Sequence, residues 1–219
     1  MALPADIDHL VFACADLERG MDWAERTFGV RPARGGAHPQ WGTRNALLAL
    51  GRERYLEILA PDPEAAPAGR ANAAGRALFG LSEGMDPSAP PRLSAWMLRT
   101  RTIDNLLAAA LRAGCDLGRV AAGSRLRADG SELSWQIAAP PARVLGGTVP
   151  WLIDWGWSEH PAADLPMGVR LDWLEIAHPE PERVRAVLEA LNCGGIEVRA
   201  GREPAITAGC ACPRGVVVV

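Results

Sequence analysis

The chain has 219 residues, of which 48% are hydrophobic and 22% charged, with a net charge of −3. This is material for a sizeable globular core, without the basic surface that nucleic acid or an anionic membrane would need. No lysine occurs: all 23 basic residues are arginine, which excludes Schiff-base lysine chemistry and a phosphate-loop lysine.

In chain order, IDHLVFACADLERGMDWAERTFGV reads as a strand, a turn and an amphipathic helix, with Asp16 as N-cap and Gly29 as stop. GGAHPQWGTRN, residues 35–45, reads as a loop in which Gly35 and Gly36 permit positive φ and close backbone approach. NALLALG and RYLEILA follow as strands. Residues 61–91 are rich in Pro, Ala and Gly and read as a connection, with one short helix in RANAAGRALFGL.

The pattern then recurs. RLSAWMLRTRTIDNLLAAALRAGC is strand and helix, with Thr102 or Asp104 near the cap and Gly114 at the end. GRVAAGSRLR, ELSWQIA and TVPWLIDWG are its strands, and Asp129-Gly130 is a hairpin-turn signal. RLDWLEIAHPEPERVRAVLEALNCGG begins a third copy, with Pro179 and Pro181 at the helix start and Gly194 at its end, followed by the strands IEVRAG, AITAGC and GVVVV. The predicted fold is α+β, built from βαβββ modules at 1–60 and 92–160, with a partial third module at 168–219. An odd number of copies leaves a sheet edge to be covered by the third unit or by a homodimer, and a dimer is the expectation.

The five cysteines, including the C-x-C of Cys210 and Cys212, lack metal-type pairing and read as buried free thiols. HLVFACA is too short and too acidic in its flanks for a signal peptide, and no apolar run is long enough to span a membrane. A reducing cytoplasm is the expected compartment.

Strand alternation puts Ile7, His9 and Val11 on one face, and Tyr55, Glu57 and Leu59 on one face of the YLEIL strand. An imidazole and a carboxylate on neighbouring strands suit either a divalent metal or a hydrogen-bonded acid–base pair. IDHLVF, GGAHPQWGTRNALLAL, RYLEIL, SRLRADGSELSWQIA and VPWLIDWG together resemble the glyoxalase-like branch of the vicinal oxygen chelate superfamily, over residues 6–157. The resemblance implies a cupped mixed sheet of paired βαβββ modules, with metal ligands on the first and fourth strands of each. On that pattern His9 and Glu57 match the first module. Asp154 matches Glu57 in the second, whereas Ala95, which cannot ligate, stands opposite His9. The implied metal set is His9, Glu57 and Asp154, one ligand short, with His38 able to add a nitrogen. In the third unit Trp173 stands opposite His9, and Glu175 and His178 read as strand-end and turn residues.

Around this pair, His38 is the third candidate catalytic residue, and Thr43, Asn45, Arg125 and Trp135 are candidate substrate contacts. Arg125 shares a face with Arg127 and suits a carboxylate or phosphate. Trp151, Trp155 and Trp157 lie on the strand face opposite Asp154, and the family pattern favours Asp154 inward. The implied function is a small-molecule enzyme (lyase, isomerase or dioxygenase) acting on an oxygen-rich carbonyl or carboxylate metabolite, with a divalent metal or an acid–base pair. The alternative is a sequestering protein of the same superfamily that binds a small molecule without metal or catalysis. Neither nucleic acid nor membrane is expected as a partner.

Overall fold

A computed structural model describes residues 6–67, 69, 73–126 and 132–219. The first unit comprises β1 (Ile7–Ala13), α1 (Leu17–Phe28), β2 (Ala33–His38), β3 (Thr43–Ala49) and β4 (Tyr55–Pro61). A short helix, α2 (Ala73–Leu78), lies in the connection. The second unit comprises β5 (Arg92–Arg99), α3 (Ile103–Arg112), β6 (Arg119–Leu126), β7 (Glu132–Ala139) and β8 (Trp151–Asp154). Asp129-Gly130 and Arg127 lie outside the described residues.

Both units enter one eight-stranded sheet of order β2-β3-β4-β1-β5-β8-β7-β6. Within each unit the first and last strands pair in parallel, and β1 joins β5 antiparallel at the centre. The sheet curls until its edge strands β2 and β6 come into contact, so most strands have one face in the cup and the other under helices. The outer face carries Leu10, Phe12, Leu56, Ile58, Trp96 and Leu98. The inner face carries Val11, Leu47, Tyr55, Met97, Trp135 and Trp155.

The third unit has the same order of elements: β9 (Arg170–His178), α4 (Pro181–Ala190), β10 (Glu197–Ala200), β11 (Ala205–Cys212) and β12 (Gly215–Val218). It forms a separate sheet of order β10-β9-β11-β12, in which β9 is internal. Its apolar residues Leu174, Ile176, Val184 and Leu188 join the core beneath the outer face of the large sheet. Pro181 begins α4, but the helix ends at Ala190, before Gly194, and Asn192 adopts the left-handed conformation at φ 54°. His178 is buried, and its Nδ1 accepts the Glu180 N–H at 2.9 Å, which caps the turn.

Helix α1 shows how closely helix and sheet approach. Asp16 accepts the Arg19 N–H at its N-terminus, and Gly29 ends it at φ 78°. Leu17, Gly20, Met21, Ala24 and Phe28 form its buried stripe. A Cβ on Gly20 would lie 2.6 Å from Ile58 Cγ2 and 2.8 Å from Cys14 Sγ. Helix propensity favours alanine over glycine by about 1 kcal/mol, but overpacking a fixed core costs about 1–3 kcal/mol. Gly20→Ala is therefore expected to lower stability by about 1 kcal/mol in urea denaturation. A net gain would show that the helix can move off the sheet.

Candidate functional site

The cup encloses a cavity of about 60 Å³. His9, Glu57, His38, Thr43, Asn45, Arg125 and Trp135 all line it. The structure thus gathers every sequence-derived candidate except Asp154.

His9 reaches the cavity through an irregularity that alternation does not foresee. Ile7 pairs with Leu98 but His9 with Met97, so Asp8 is an extra residue, a β-bulge between β1 and β5. The bulge resets the phase. Ile7 faces the helices, whereas His9 faces inward with Val11 and Ala13, correcting the expectation that Ile7 and His9 share a face. It also brings Asp8 beside His9: Asp8 Oδ1 lies 2.6 Å from His9 Nδ1. Asp8 Oδ2 accepts the Trp155 indole N–H at 2.9 Å and lies 3.0 Å from His160 Nε2, with Arg99 at 3.9 Å. Asp8 is completely buried. Burial alone would raise its carboxyl, but the hydrogen bonds to His160 and His9, and their charges, hold it below the usual carboxylate range. The ionised Asp8 requires a proton on His9 Nδ1, which leaves His9 Nε2 facing the cavity. Tyr55, the Cα partner of His9 on β4, stacks on the imidazole at 4.4 Å and 14°. Burial, with Asp8 and Glu57 nearby, holds the Tyr55 phenol protonated, well above its ordinary value.

Glu57 faces His9 from β4, with Oε2 3.6 Å from His9 Nε2. Its other oxygen, Oε1, accepts from Asn45 Nδ2 at 2.6 Å. Asn45 and Glu57 are diagonal neighbours on one face, because Asn45 pairs with Leu59 and Leu47 with Glu57. The Gly36 N–H donates to Asn45 Oδ1 at 2.9 Å, which fixes the amide orientation and turns its NH₂ toward Glu57. The same NH₂ lies 3.4 Å from His38 Nε2, and His38 Nδ1 lies 3.0 Å from Thr43 Oγ1. With Asn45 as donor, His38 carries its proton on Nδ1 and donates to Thr43. Burial pushes the His38 imidazole below its ordinary value, Glu57 opposes this, and Arg125 and His9 add to the lowering.

The GGAHPQWGTRN stretch is therefore a hairpin and not a rim loop: His38 ends β2 and pairs directly with Thr43. Neither Gly35 nor Gly36 adopts positive φ. They form a bulge between Arg34 and Ala37, and a Cβ on Gly35 would overlap Asn45 Oδ1. The glycines make room for the amide that holds Glu57.

The second unit supplies a different wall. Trp151, Ile153 and Trp155 face inward with Ala95 and Met97, so Asp154 faces away, opposite to the expectation. It caps the Gly156 N–H at 2.8 Å and lies 3.7 Å from Arg101. Trp157, expected to share the tryptophan face, is fully exposed. The set His9, Glu57 and Asp154 is not brought together. Among the described residues, no group of three or more His, Cys, Asp and Glu is arranged to hold a metal ion. His9 and Glu57 are two donors facing each other; the next polar group, Asn45, presents amide hydrogens, and the opposite wall offers only the Arg125 guanidinium and apolar or aromatic side chains. These residues do not fit the metal set that the first and fourth strands were expected to supply.

Asp8, His160 and Tyr55 were not singled out from the sequence. His160 follows β8, and its Nδ1 accepts the Ala162 N–H at 3.2 Å. The five cysteines are free, and burial pushes the Cys14, Cys193 and Cys210 thiols up to about 12, which leaves them unreactive. No helix among the described residues is long and apolar enough to cross a membrane.

A curled sheet of paired βαβββ modules around an inward His and Glu is the architecture of the vicinal oxygen chelate superfamily. Within it the chain belongs to the family described as "Glyoxalase-like domain", whose model matches residues 7–192. A solved hypothetical protein from Staphylococcus aureus is 14% identical, with 91% of this chain and 87% of that chain covered at a TM-score of 0.64. Methylmalonyl-CoA epimerase from Mycobacterium tuberculosis is 18% identical, with 71% and 91% covered at a TM-score of 0.42. A Streptomyces coelicolor methylmalonyl-CoA epimerase variant in complex with 2-nitronate-propionyl-CoA is 22% identical, with 73% and 100% covered at a TM-score of 0.41. No curated protein sequence matches the chain.

The lowered Asp8 carboxyl has a consequence for stability. Folding depresses it below its ordinary value of 3.8, so its contribution is fully present above that value and is lost as pH falls through the folded one. Asp8→Asn is expected to cost about 2–3 kcal/mol near neutrality, the scale for hydrogen bonds to a charged group. The gap between variant and parent should narrow below about pH 4. Thermal melts of both proteins from pH 3 to 7 check this, and a gap independent of pH would mean that Asp8 is not ionised in the fold.

Proposed function

We propose that the protein is a glyoxalase-like enzyme that moves a proton on a small carbonyl- or carboxylate-bearing metabolite, with His9 and Glu57 as the acid–base pair. The observation that supports this most directly is that His9 Nε2 and Glu57 Oε2 face each other at 3.6 Å, each held from behind, His9 by Asp8 and Glu57 by Asn45. This spacing is just beyond a hydrogen bond, and apo distances of this kind tighten around a substrate atom. Glu57 removes a proton from the carbon next to a carbonyl. The protonated Tyr55 phenol is a donor for the oxygen on which charge then develops. His9 exchanges the proton through Nε2, while the Asp8 carboxylate on Nδ1 holds the ring in place.

The lining favours an amphipathic substrate. Arg125 suits a carboxylate, and Trp135, Trp155 and Phe79 suit an apolar body. About 60 Å³ holds only the reacting end of such a molecule, so the remainder lies toward the mouth. The aromatic wall also favours a second reading, a binder that sequesters such compounds without turning them over. Trp135 lies 5.7 Å from Trp155 and Trp41 lies 5.6 Å from Phe79, centroid to centroid.

A panel of small 2-oxo and 2-hydroxy acids and aldehydes, incubated with the protein in D₂O, separates the two readings. Nuclear magnetic resonance should record deuterium entering at the carbon beside the carbonyl, and EDTA should leave the rate unchanged. Glu57→Gln is expected to slow exchange by about 10²–10⁴-fold, the usual contribution of a positioned base. Compounds that raise the melting temperature but never exchange would favour sequestration.

A further inference from the structure

We propose that a second cleft, outside the His9–Glu57 cavity, binds a phosphate dianion between the guanidinium groups of Arg92 and Arg143. The site stands on its own side chains and does not depend on the acid–base reading.

The cleft, of about 580 Å³, lies where the turn after α2, the start of β5, the segment before β8 and the turn before β11 meet. Arg143 ties these parts together: it donates to the carbonyls of Leu78, Ser94 and Gly146, each at 3.1 Å. That accounts for Arg143 as a structural staple. It does not account for Arg92 beside it, whose contact with the Gly80 carbonyl is at the limiting length of 3.5 Å. The two guanidinium groups converge on Gly80: a Cβ there would stand 3.4 Å from Arg92 Nη2 and 3.6 Å from Arg143 Nη1. Gly80 has φ 79°, a conformation that suits glycine, so the space beside the two arginines carries no side chain.

Two cations held this close repel each other. Burial lowers the Arg143 guanidinium from its ordinary value, and the Arg92 charge lowers it further. Among the described residues neither arginine forms an ion pair; the arginines that do are others. Glu203 is the carboxylate in the lining, and it pairs with neither. The carbonyl contacts leave N–H donors on both guanidinium groups unspent. An anion that bridges them removes the repulsion and accepts charge-assisted hydrogen bonds from both. A phosphate dianion suits this better than a single carboxylate, because it matches two positive charges and offers more acceptor oxygens. Ser82 adds a hydroxyl to the same lining, whereas Glu203 opposes the anion and limits its affinity.

Inorganic phosphate and glycerol phosphate, the free and the esterified form of the group, are to be titrated into the intact protein by calorimetry, with sodium chloride at matched ionic strength as the control. Saturable binding of at least one is expected, with the largest amide shifts in ¹H–¹⁵N spectra at Gly80, Ser82 and Gly146. Tighter binding of the ester would identify the ligand as a phosphorylated metabolite, and tighter binding of the free ion as phosphate itself. Arg92 is exposed, so Arg92→Gln should leave the melting temperature in chloride unchanged. It should weaken phosphate binding by at least about tenfold, the share of one charge-assisted hydrogen bond. Glu203→Gln should tighten binding. Arg143→Gln would also untie three carbonyls, so the test rests on Arg92 and Glu203. The proposal is overturned if neither compound binds saturably, if chloride reproduces the effect, if the amide shifts fall elsewhere, or if Arg92→Gln binds phosphate like the parent.

Discussion

A carboxylate with no access to water must be neutral or surrounded by donors, because an isolated buried charge costs several kcal/mol. Asp8 meets this constraint with donors drawn from three places: the next residue, the end of the second unit's last strand, and the turn beyond it. That requirement ties β1, β8 and the Pro161–Asp164 turn (a 3₁₀ turn) together at one point. It also fixes the His9 ring, whose other face is covered by Tyr55. The bulge that makes the arrangement possible inserts one residue into the central strand pair, where the two units meet.

The two units have diverged around that junction. The first supplies the polar wall, a chain of side chains from Thr43 through His38 and Asn45 to Glu57. The second supplies Met97, Ile137, Ile153 and the tryptophans. A duplicated module could give two equivalent ligand pairs; here only one copy retains ionisable groups at the inward positions of its first and last strands. Glu57 spends one oxygen on Asn45 and His9 spends one nitrogen on Asp8, so each presents a single free atom to the cavity. Two such atoms fall short of the four donors that a closed coordination shell takes.

Much of this was legible in the sequence, and the failures have physical causes. The repeat of strand, helix and strands was visible because helix caps such as Asp16 and Gly29 obey local rules. Glu57 was placed correctly because β4 is regular and alternation holds along it. The bulge at Asp8 was not legible: nothing in IDHLVF marks an extra residue, so Asp8 was passed over and Ile7 was put on the wrong face. The phase of β8 failed for a different reason. WLIDWG has large apolar side chains in both phases, Leu152 as well as Trp151 and Ile153, and both faces of the strand are buried. Alternation then carries no sign, and burial of the tryptophans against the cavity prevailed over the family match. His160 left no local signal, since its partner is reached only through the closed fold.

The hairpin of β2 and β3 shows a subtler limit. Two adjacent glycines suggest backbone freedom, and the loop reading followed from that. In the fold their backbone is ordinary and their value is steric, because the space a side chain would fill at Gly35 is occupied by Asn45. The bulge of which Gly36 is part aims its N–H at the Asn45 carbonyl, and that one hydrogen bond decides that an amide N–H, and not an oxygen, meets Glu57. With the amide reversed, two oxygens would face each other across 2.6 Å and the carboxylate would lose its donor. The orientation of the candidate base therefore depends on a backbone group two strands away. The bulges at Asp8 and at Gly35–Gly36 do the same work from opposite sides of the cavity, each turning a departure from regular pairing into a fixed orientation for one member of the pair.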